Sequence, residues 1–518
     1  MQTMNNFFAS LEQHAQQQPQ QLALISKQCE FNYAQLVEQV NLLAQWLTDH
    51  NIGRAGLWGE NSCAWIIADL AARKAGTTLV PLPLFFSDAQ LNHVITNTEL
   101  GCLLTVGDAR SIAPVARRSS TSHEGIFCDF LSNAGSVSKT ADISKITFTS
   151  GTTGAPKGVC LSEAAISNVT NALIERIYST PGADAEINRH FTLLPLSTLL
   201  ENVAGVYVPL QLGKTIVVLA GVDTGLLGSS ELSLPTLLRS LHHYNPNSLI
   251  VLPQILLGLV AASQQGFPLP AALKFIAVGG ARTSSSLIQQ ARAIGLPVYE
   301  GYGLSECASV VSLNSPAANK IGSVGKPLAH VKINIEQGSI FVSGNTFSGY
   351  WGQAPQSKDA WLDTGDLGYL DDDGFLFITG RRKNLLISSF GRNISPEWVE
   401  SELALCRSIA QCIVVGDAQP YCSAILVPAS VQVTTEQITQ EIARVNQGLP
   451  DYAHIKKFIL ASSPFTAANQ LLTDNGRLRR NEIMAHYQRD ITAIYATTPT
   501  ADSSQQTGQH AGAIYDIL

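Results

Sequence analysis

The sequence predicts an α/β protein: a large N-terminal domain with parallel-type sheets flanked by helices, plus a small β-barrel-like subdomain, followed by a small α+β C-terminal domain. Three observations carry that expectation. Short, continuously apolar stretches alternate with helix-length segments up to about Tyr299, as strands do when a parallel sheet is covered on both faces. The pattern then switches to strict alternation at 331–336, which reads as a half-exposed hairpin. Only 14% of the 518 residues are charged, well below the usual quarter, as suits a chain with a large interior.

Taken in chain order, Leu36, Val40, Leu43, Ala44 and Leu47 recur at helical spacing and predict a packed helix. Apolar strands are expected at 56–58, 78–81, 215–219, 249–252, 275–278 and 297–299. The alternating stretch 331–336 ends in Gln337-Gly338, and Asp371-Asp-Asp-Gly374 joins 367–370 to 375–378. These turn signals place a β-rich subdomain at about 320–380. The charged run Gly380-Arg-Arg-Lys-Asn384 marks the main boundary, giving an N-terminal domain of residues 1–382. A helix at 396–405, strands at 412–415 and 424–427, and a helix at 435–447 then make a C-terminal domain of 383–495. Residues 496–518, rich in Thr, Ser, Gln and Gly, are expected to form a flexible tail.

A net charge of -7 without a basic stripe gives no reason to expect a nucleic-acid partner, and none is expected. Nine cysteines without CxxC or Cys/His spacing signal neither a zinc site nor a disulfide framework. The N-terminus lacks a basic segment followed by an apolar one, and no stretch of about twenty residues is free of polar interruption. A cytoplasmic protein without an integral membrane segment is the expectation.

The chemistry concentrates in a few segments. Ile146-Thr-Phe-Thr-Ser-Gly-Thr-Thr-Gly-Ala-Pro-Lys-Gly158 runs from an apolar strand into glycines, hydroxyls and one lysine. Gly151, Gly154 and Gly158 permit positive φ and close approach, Thr149, Ser150, Thr152 and Thr153 supply hydroxyls, and Lys157 brings a mobile cation. This is a phosphate loop outside the Walker pattern, because Pro156 precedes the lysine and no hydroxyl follows Gly158.

Gly301-Tyr-Gly-Leu-Ser-Glu306 follows a predicted strand, where Tyr302 suits a purine and Glu306 suits magnesium; its bland equivalent is a turn with a helix-starting Ser305. Val278-Gly-Gly-Ala281 has the same form, and Gly280 and Ala281 either line a pocket or simply make a turn. Thr364-Gly-Asp366 offers a carboxylate to a ribose diol or is a surface turn, and Arg381 follows fifteen residues on with a planar fork.

In order, these segments, together with Gly391-Arg-Asn-Ile-Ser-Pro396 and Gly476-Arg-Leu-Arg-Arg480, resemble the adenylate-forming superfamily of AMP-binding enzymes from about residue 20 to about residue 490. Gly303-Leu-Ser-Glu306, Leu194-Pro-Leu-Ser and Arg382-Lys-Asn-Leu-Leu-Ile387 look most like the long-chain fatty acyl-CoA synthetases. The resemblance implies ATP, magnesium and CoA as co-substrates and an AMP-forming acid–thiol ligase acting on a fatty or similar carboxylic acid. It gives Thr149, Ser150, Gly151, Thr152, Thr153, Gly154 and Lys157 to the triphosphate, and Glu306 with Thr152 to magnesium. Gly280, Ala281, Gly301, Tyr302, Gly303 and Ser305 fall to the adenylate, and Asp366 and Arg381 to the ribose. Lys383 becomes the pivot of a mobile C-terminal domain, and Gly391 lies beside the thiol channel of its second position.

Two residues depart from the pattern. Arg477 stands where the family keeps a catalytic lysine, and Thr198 where acyl-CoA synthetases carry a gating histidine. Leu196 replaces the aspartate of amino-acid-activating domains and disfavours an α-amino acid. Beside the CoA ligase stand an acyl-AMP ligase loading a separate acyl carrier protein and a degenerate nucleotide- or acyl-binding protein.

Overall fold

The computed structural model describes residues 4–107, 115–121, 123, 125–131, 142–149, 156–178, 186–227, 231–357, 360–473, 476–496 and 513–517. Two sheets form the N-terminal domain. The nine-stranded sheet is parallel through its middle, running Val298–Leu304, Phe275–Val278, Ser248–Val251, Arg189–Thr192, Thr215–Val218 and Leu22–Ile25 side by side. Antiparallel strands Ser309–Leu313 and Glu30–Asn32 flank this run. The seven-stranded sheet sets Arg54–Trp58, Thr78–Leu82, Cys102–Val106 and Lys145–Thr149 in parallel and closes antiparallel with Lys157–Leu161. The predicted strands thus occur where continuous apolar runs required burial on both faces, within two residues of the expected bounds except that 297–299 runs on to Leu304.

The amphipathic helix expected from Leu36 spans Tyr33–Asp49, with an Asn32 cap reciprocated by Gln35. It packs with Cys63–Ala75 in a core that takes side chains from both sheets, Leu57 and Leu161 from one, Ile216 and Val218 from the other. A second core under the other face of the nine-stranded sheet is built by Phe191, Leu249, Ile276 and the helices Leu234–Tyr244 and Pro253–Gln264.

The β-rich subdomain is a four-stranded antiparallel sheet, Lys332–Glu336, Ser339–Ser343, Leu362–Leu370 and Leu376–Arg381. Its first hairpin turns on Gln337 (φ 49) and Gly338 (φ 80), the two left-handed residues that a tight hairpin with matching twist requires. The C-terminal domain joins Pro396–Leu403 and Thr435–Gln447 to the strands Ile409–Val415, Cys422–Pro428 and Ile455–Leu460. Within the expected flexible tail, Ile514–Asp516 is a strand paired antiparallel with Ile455–Leu460. The reason is local: the Tyr515 ring stacks on Phe458 at 5.2 Å, and Asp516 pairs with Lys457, contacts that bulk tail composition conceals.

Candidate active site

Parallel strands of one sheet end together, and the C-terminal ends of Arg189–Thr192, Ser248–Val251, Phe275–Val278 and Val298–Leu304 define one edge of the nine-stranded sheet, the ordinary ligand edge of an open α/β fold. Gly301–Glu306 lies there, but not as the expected turn. The strand continues to Leu304, leaves its parallel partner and pairs antiparallel with Ser309–Leu313, and a single 3-10 turn, Ser305–Cys307, follows. The glycines serve close approach: a Cβ on Gly303 would stand 1.7 Å from the Ser309 carbonyl oxygen, and one on Gly301 3.0 Å from a Leu313 methyl. Ala308 (φ 57) and Ser309 (φ 111) hold left-handed backbone just past Glu306, strain that a packed site maintains.

Glu306 accepts a hydrogen bond from the Tyr350 hydroxyl at 2.9 Å, and the Tyr350 ring lies 5.5 Å from Lys157 Nζ. Burial and the neighbouring Glu306 charge both raise the Tyr350 hydroxyl well above an ordinary phenol. Backbone bonds fix this arrangement: Phe347 N donates to Glu306 O at 2.7 Å, Trp351 N donates to Gly158 O at 2.7 Å, and Tyr350 bridges Val159. Sequence reasoning missed Tyr350; its only signal was the aromatic pair Tyr350-Trp351 directly after Gly349.

Thr149 and Lys157 are partners across the hairpin that brackets the phosphate loop. Ser150, Gly151, Thr152, Thr153 and Gly154 lie outside the described residues. Gly158 does not take the positive φ expected of it; it sits in a strand where a Cβ would be 2.9 Å from both Ile146 and Phe148.

Asp366 and Arg381 are register partners on adjacent strands. Arg381 Nε donates to Asp366 Oδ1 at 2.6 Å and Tyr302 Oη donates to Oδ2 at 2.7 Å, so Tyr302 reaches one group while Glu306, on the same segment, reaches the other. Burial, then the Asp366 charge, raises the Tyr302 hydroxyl and keeps it a donor. Gly365 (φ 71) makes the turn that presents Asp366, and Thr364 Oγ1 accepts the Asp366 N–H at 3.1 Å.

Arg477 and Lys383 join this group. Partial desolvation, then the Arg381 charge, pushes the exposed Arg477 side chain below the ordinary arginine value. Lys383 is lowered by burial and then by Arg381, against the pull of Glu397 and Asp366. Gly280 (φ 82), followed by Ala281, lies two residues past the end of the neighbouring strand Phe275–Val278, and a Cβ on Gly279 would stand 3.3 Å from the Gly301 carbonyl oxygen. Gly391 (φ 73) is at the tip of the hairpin Leu386–Ile387 with Asn393–Ile394, where a Cβ would meet nothing within 4 Å. Glu300 was also missed: it is buried, its carboxyl pushed up to about 8 by burial against the opposing pull of Arg282 and the Thr283 N–H. Among the described residues no group of three or more His, Cys, Asp or Glu side chains could hold a metal, and no helix is long and apolar enough to cross a membrane.

Residues 11–351 match the AMP-binding enzyme family model, and residues 383–499 match the AMP-binding enzyme C-terminal domain. A long-chain-fatty-acid–CoA ligase of Mycobacterium tuberculosis is 33% identical over 246 residues, 42% of this chain and 41% of that ligase. The chain thus matches about two fifths of that relative's length. The 2-succinylbenzoate–CoA ligase of Bacillus subtilis is 26% identical over 509 residues, covering 92% of this chain and 98% of that one. The solved O-succinylbenzoate coenzyme A synthetase of Bacillus subtilis in complex with AMP superposes with a TM-score of 0.70 at 26% identity, covering 92% of this chain and 97% of that one. An anthranilate CoA ligase in complex with anthranoyl-AMP shares the fold, with a TM-score of 0.77 at 17% identity over 94% of this chain and 98% of that one. The family match spans both domains and takes in Lys157, Tyr302, Glu306 and Tyr350 of the site, and on that ground the chain belongs to the AMP-binding enzymes of the adenylate-forming superfamily.

Proposed function

We propose that this chain activates an apolar carboxylic acid with ATP as an acyl adenylate and passes the acyl group to the thiol of CoA. One observation carries the reading. A single segment, Val298–Leu304 with the turn Ser305–Cys307, presents Tyr302 to the Asp366–Arg381 pair and Glu306 to Tyr350, whose ring lies 5.5 Å from Lys157 Nζ. A carboxylate with a spare lone pair suits a sugar hydroxyl, and a carboxylate and a lysine that share one tyrosine suit a triphosphate carrying magnesium.

In the first step a carboxylate oxygen bonds the α-phosphorus and the bond to pyrophosphate breaks. In the second the sulfur of a thiolate bonds the acyl carbon and AMP leaves. Neither needs a protein nucleophile, so the side chains act by placing charge. Lys157 and the loop hydroxyls hold the triphosphate. Glu306 would be the protein carboxylate that holds magnesium, which would neutralise charge on the triphosphate. Arg381 and Arg477 repel each other; an anion between them relieves that repulsion, which suits the carboxylate and α-phosphate as they join. Between the steps the small domain turns about Lys383, exchanging Arg477 for the hairpin that carries Gly391.

The acid lies along the same sheet edge, past the end of Arg189–Thr192, where the buried side chains Leu194, Leu196 and Leu199 are apolar. The named relatives include ligases of a long-chain acid and of 2-succinylbenzoate; the apolar wall favours the former class. The reaction belongs in the cytoplasm, where ATP and CoA are available.

Carboxylate-dependent exchange of pyrophosphate into ATP, measured across fatty acids of graded length and with 2-succinylbenzoate, tests the first step. Exchange greatest with a fatty acid is the expected result; exchange with no acid overturns the enzyme reading, and preference for 2-succinylbenzoate overturns the choice of acid. Thioester formed with a phosphopantetheinyl carrier protein but not with CoA overturns the acceptor.

A further inference from the structure

The backbone that follows Arg189–Thr192 is held by side chains, one of them, Asn61, from a distant element and the others from the helix start that comes after it. Leu194 N donates to Glu201 Oε2 at 3.0 Å, Asn61 Nδ2 donates to Leu194 O at 2.9 Å, and Leu196 N donates to Asn61 Oδ1 at 2.8 Å. Thr198 Oγ1 donates to Pro195 O at 2.7 Å. Asn61 comes from the loop after Arg54–Trp58 in the seven-stranded sheet, so the wall of one sheet is gripped from the other. The gripped residues sit on a seam: Leu194 belongs to one core, Leu196 and Leu199 to the other, and Leu200 touches both.

Glu201 is itself fixed. Its Oε1 lies 2.9 Å from His190 Nε2, and His190 Nδ1 lies 3.0 Å from Ser248 Oγ; all three residues are buried. The pair exists because the backbone makes room for it. Glu201–Tyr207 is a π-helix, a widened turn that is rare and frequent at functional sites, and a Cβ on Gly205 would stand 2.2 Å from Glu201 Oε1 and 2.7 Å from His190 Nε2. A buried polar chain is a poor way to gain stability, since apolar side chains of equal volume do as well. It does fix geometry, because each hydrogen bond admits few arrangements.

We infer that Asn61 and Glu201, the latter set by His190 and Ser248, are positioning residues for the acid: together they hold the Leu194–Leu196 backbone so that the bound carboxylate meets the nucleotide at the end of Val298–Leu304. The inference rests on the acyl-activating reading above. Neither residue touches the reacting atoms. Their effect falls on the acid and spares the nucleotide, which is held by Asp366, Arg381, Glu306 and Lys157 on other elements.

The test is pyrophosphate exchange with the best acid, separating KM for the acid, KM for ATP and kcat, with the thermal midpoint recorded for each variant. Asn61→Ala and Glu201→Ala are expected to raise KM for the acid roughly ten- to hundredfold, as loss of positioning does, with KM for ATP changed less than about twofold. Glu201→Gln can accept from Leu194 N and donate to the other tautomer of His190, and it is expected to stay within about threefold of the parent. Gly205→Ala attacks the same pair from the backbone side and keeps the proposal testable where Glu201→Ala does not fold.

Equal rises in both KM values, or a lowered midpoint with unchanged kinetics, overturn the inference. So does a Glu201→Gln variant as impaired as Glu201→Ala, because the charge, not the hydrogen bonds, would then matter. A parent protein that exchanges with no acid fails the functional reading itself and takes this inference with it, an outcome distinct from the variant results.

Discussion

Tyr350 ties two charged residues together: its hydroxyl donates to Glu306 at 2.9 Å while its ring lies 5.5 Å from Lys157 Nζ. Tyr350→Phe removes the first contact and keeps the second. Losing a hydrogen bond to a charged group costs about 1.5–3 kcal/mol, so kcat/KM for ATP is expected to fall about ten- to hundredfold, with the magnesium requirement shifted to higher concentration. Magnesium titrations of exchange check this; an unchanged magnesium midpoint would show that Tyr350 serves packing alone.

Asp366 accepts three hydrogen bonds, two from Arg381 and one from Tyr302, while a carboxylate accepts about four. The remaining lone pair is the one offered to a ribose hydroxyl. The parent is therefore expected to prefer ATP over its 2′-deoxy and 3′-deoxy analogues by about tenfold or more. Asp366→Asn should lower activity with ATP most and narrow the ratio toward one. A ratio that survives the substitution removes Asp366 from the sugar site.

Much of this was legible before any coordinates, and the reasons differ residue by residue. Strands such as Phe275–Val278 were readable because burial on both faces demands an apolar run. The Asp366–Arg381 pair was readable because a hairpin signal lay between its members, which fixes which residues face each other. Gly301 and Gly303 were misread because a glycine needed for close approach looks like a glycine needed for a turn. Tyr350 and Asn61 were invisible for another reason: each acts through partners far away in the chain, Glu306 and the Leu194–Leu196 backbone, and no local pattern records such a pairing. Ile514–Asp516 was hidden by the polar composition of the stretch before it.

The glycines give a graded test of that distinction. A Cβ on Gly303 meets backbone, the Ser309 carbonyl oxygen at 1.7 Å, whereas on Gly301 it meets the end of a flexible Leu313 side chain at 3.0 Å. Gly303→Ala is expected to destabilise by about 2–4 kcal/mol and Gly301→Ala by about 1 kcal/mol, the range for forced overpacking against rigid and yielding neighbours. Denaturant midpoints of the two variants check the order, and equal losses would mean that the strand shifts to accommodate either methyl.

Glu300 supplies a pH dependence with a definite sign. Burial raises its carboxyl from 4.5 to about 8, outweighing Arg282 and the Thr283 N–H. Between those values the folded protein keeps a proton that the unfolded chain releases, so unfolding is favoured as pH rises. The contribution is full below about pH 4.5 and lost by about pH 8, at up to about 1.4 kcal/mol per pH unit. Glu300→Gln keeps the shape and an acceptor for Thr283 N while removing the titration. Its stability relative to the parent should therefore improve steadily from pH 5 to pH 8, measured by denaturant unfolding at each pH. A difference that does not change with pH would place the Glu300 carboxylate in its charged form at neutrality, paired with Arg282 at the strand end that leads to Tyr302.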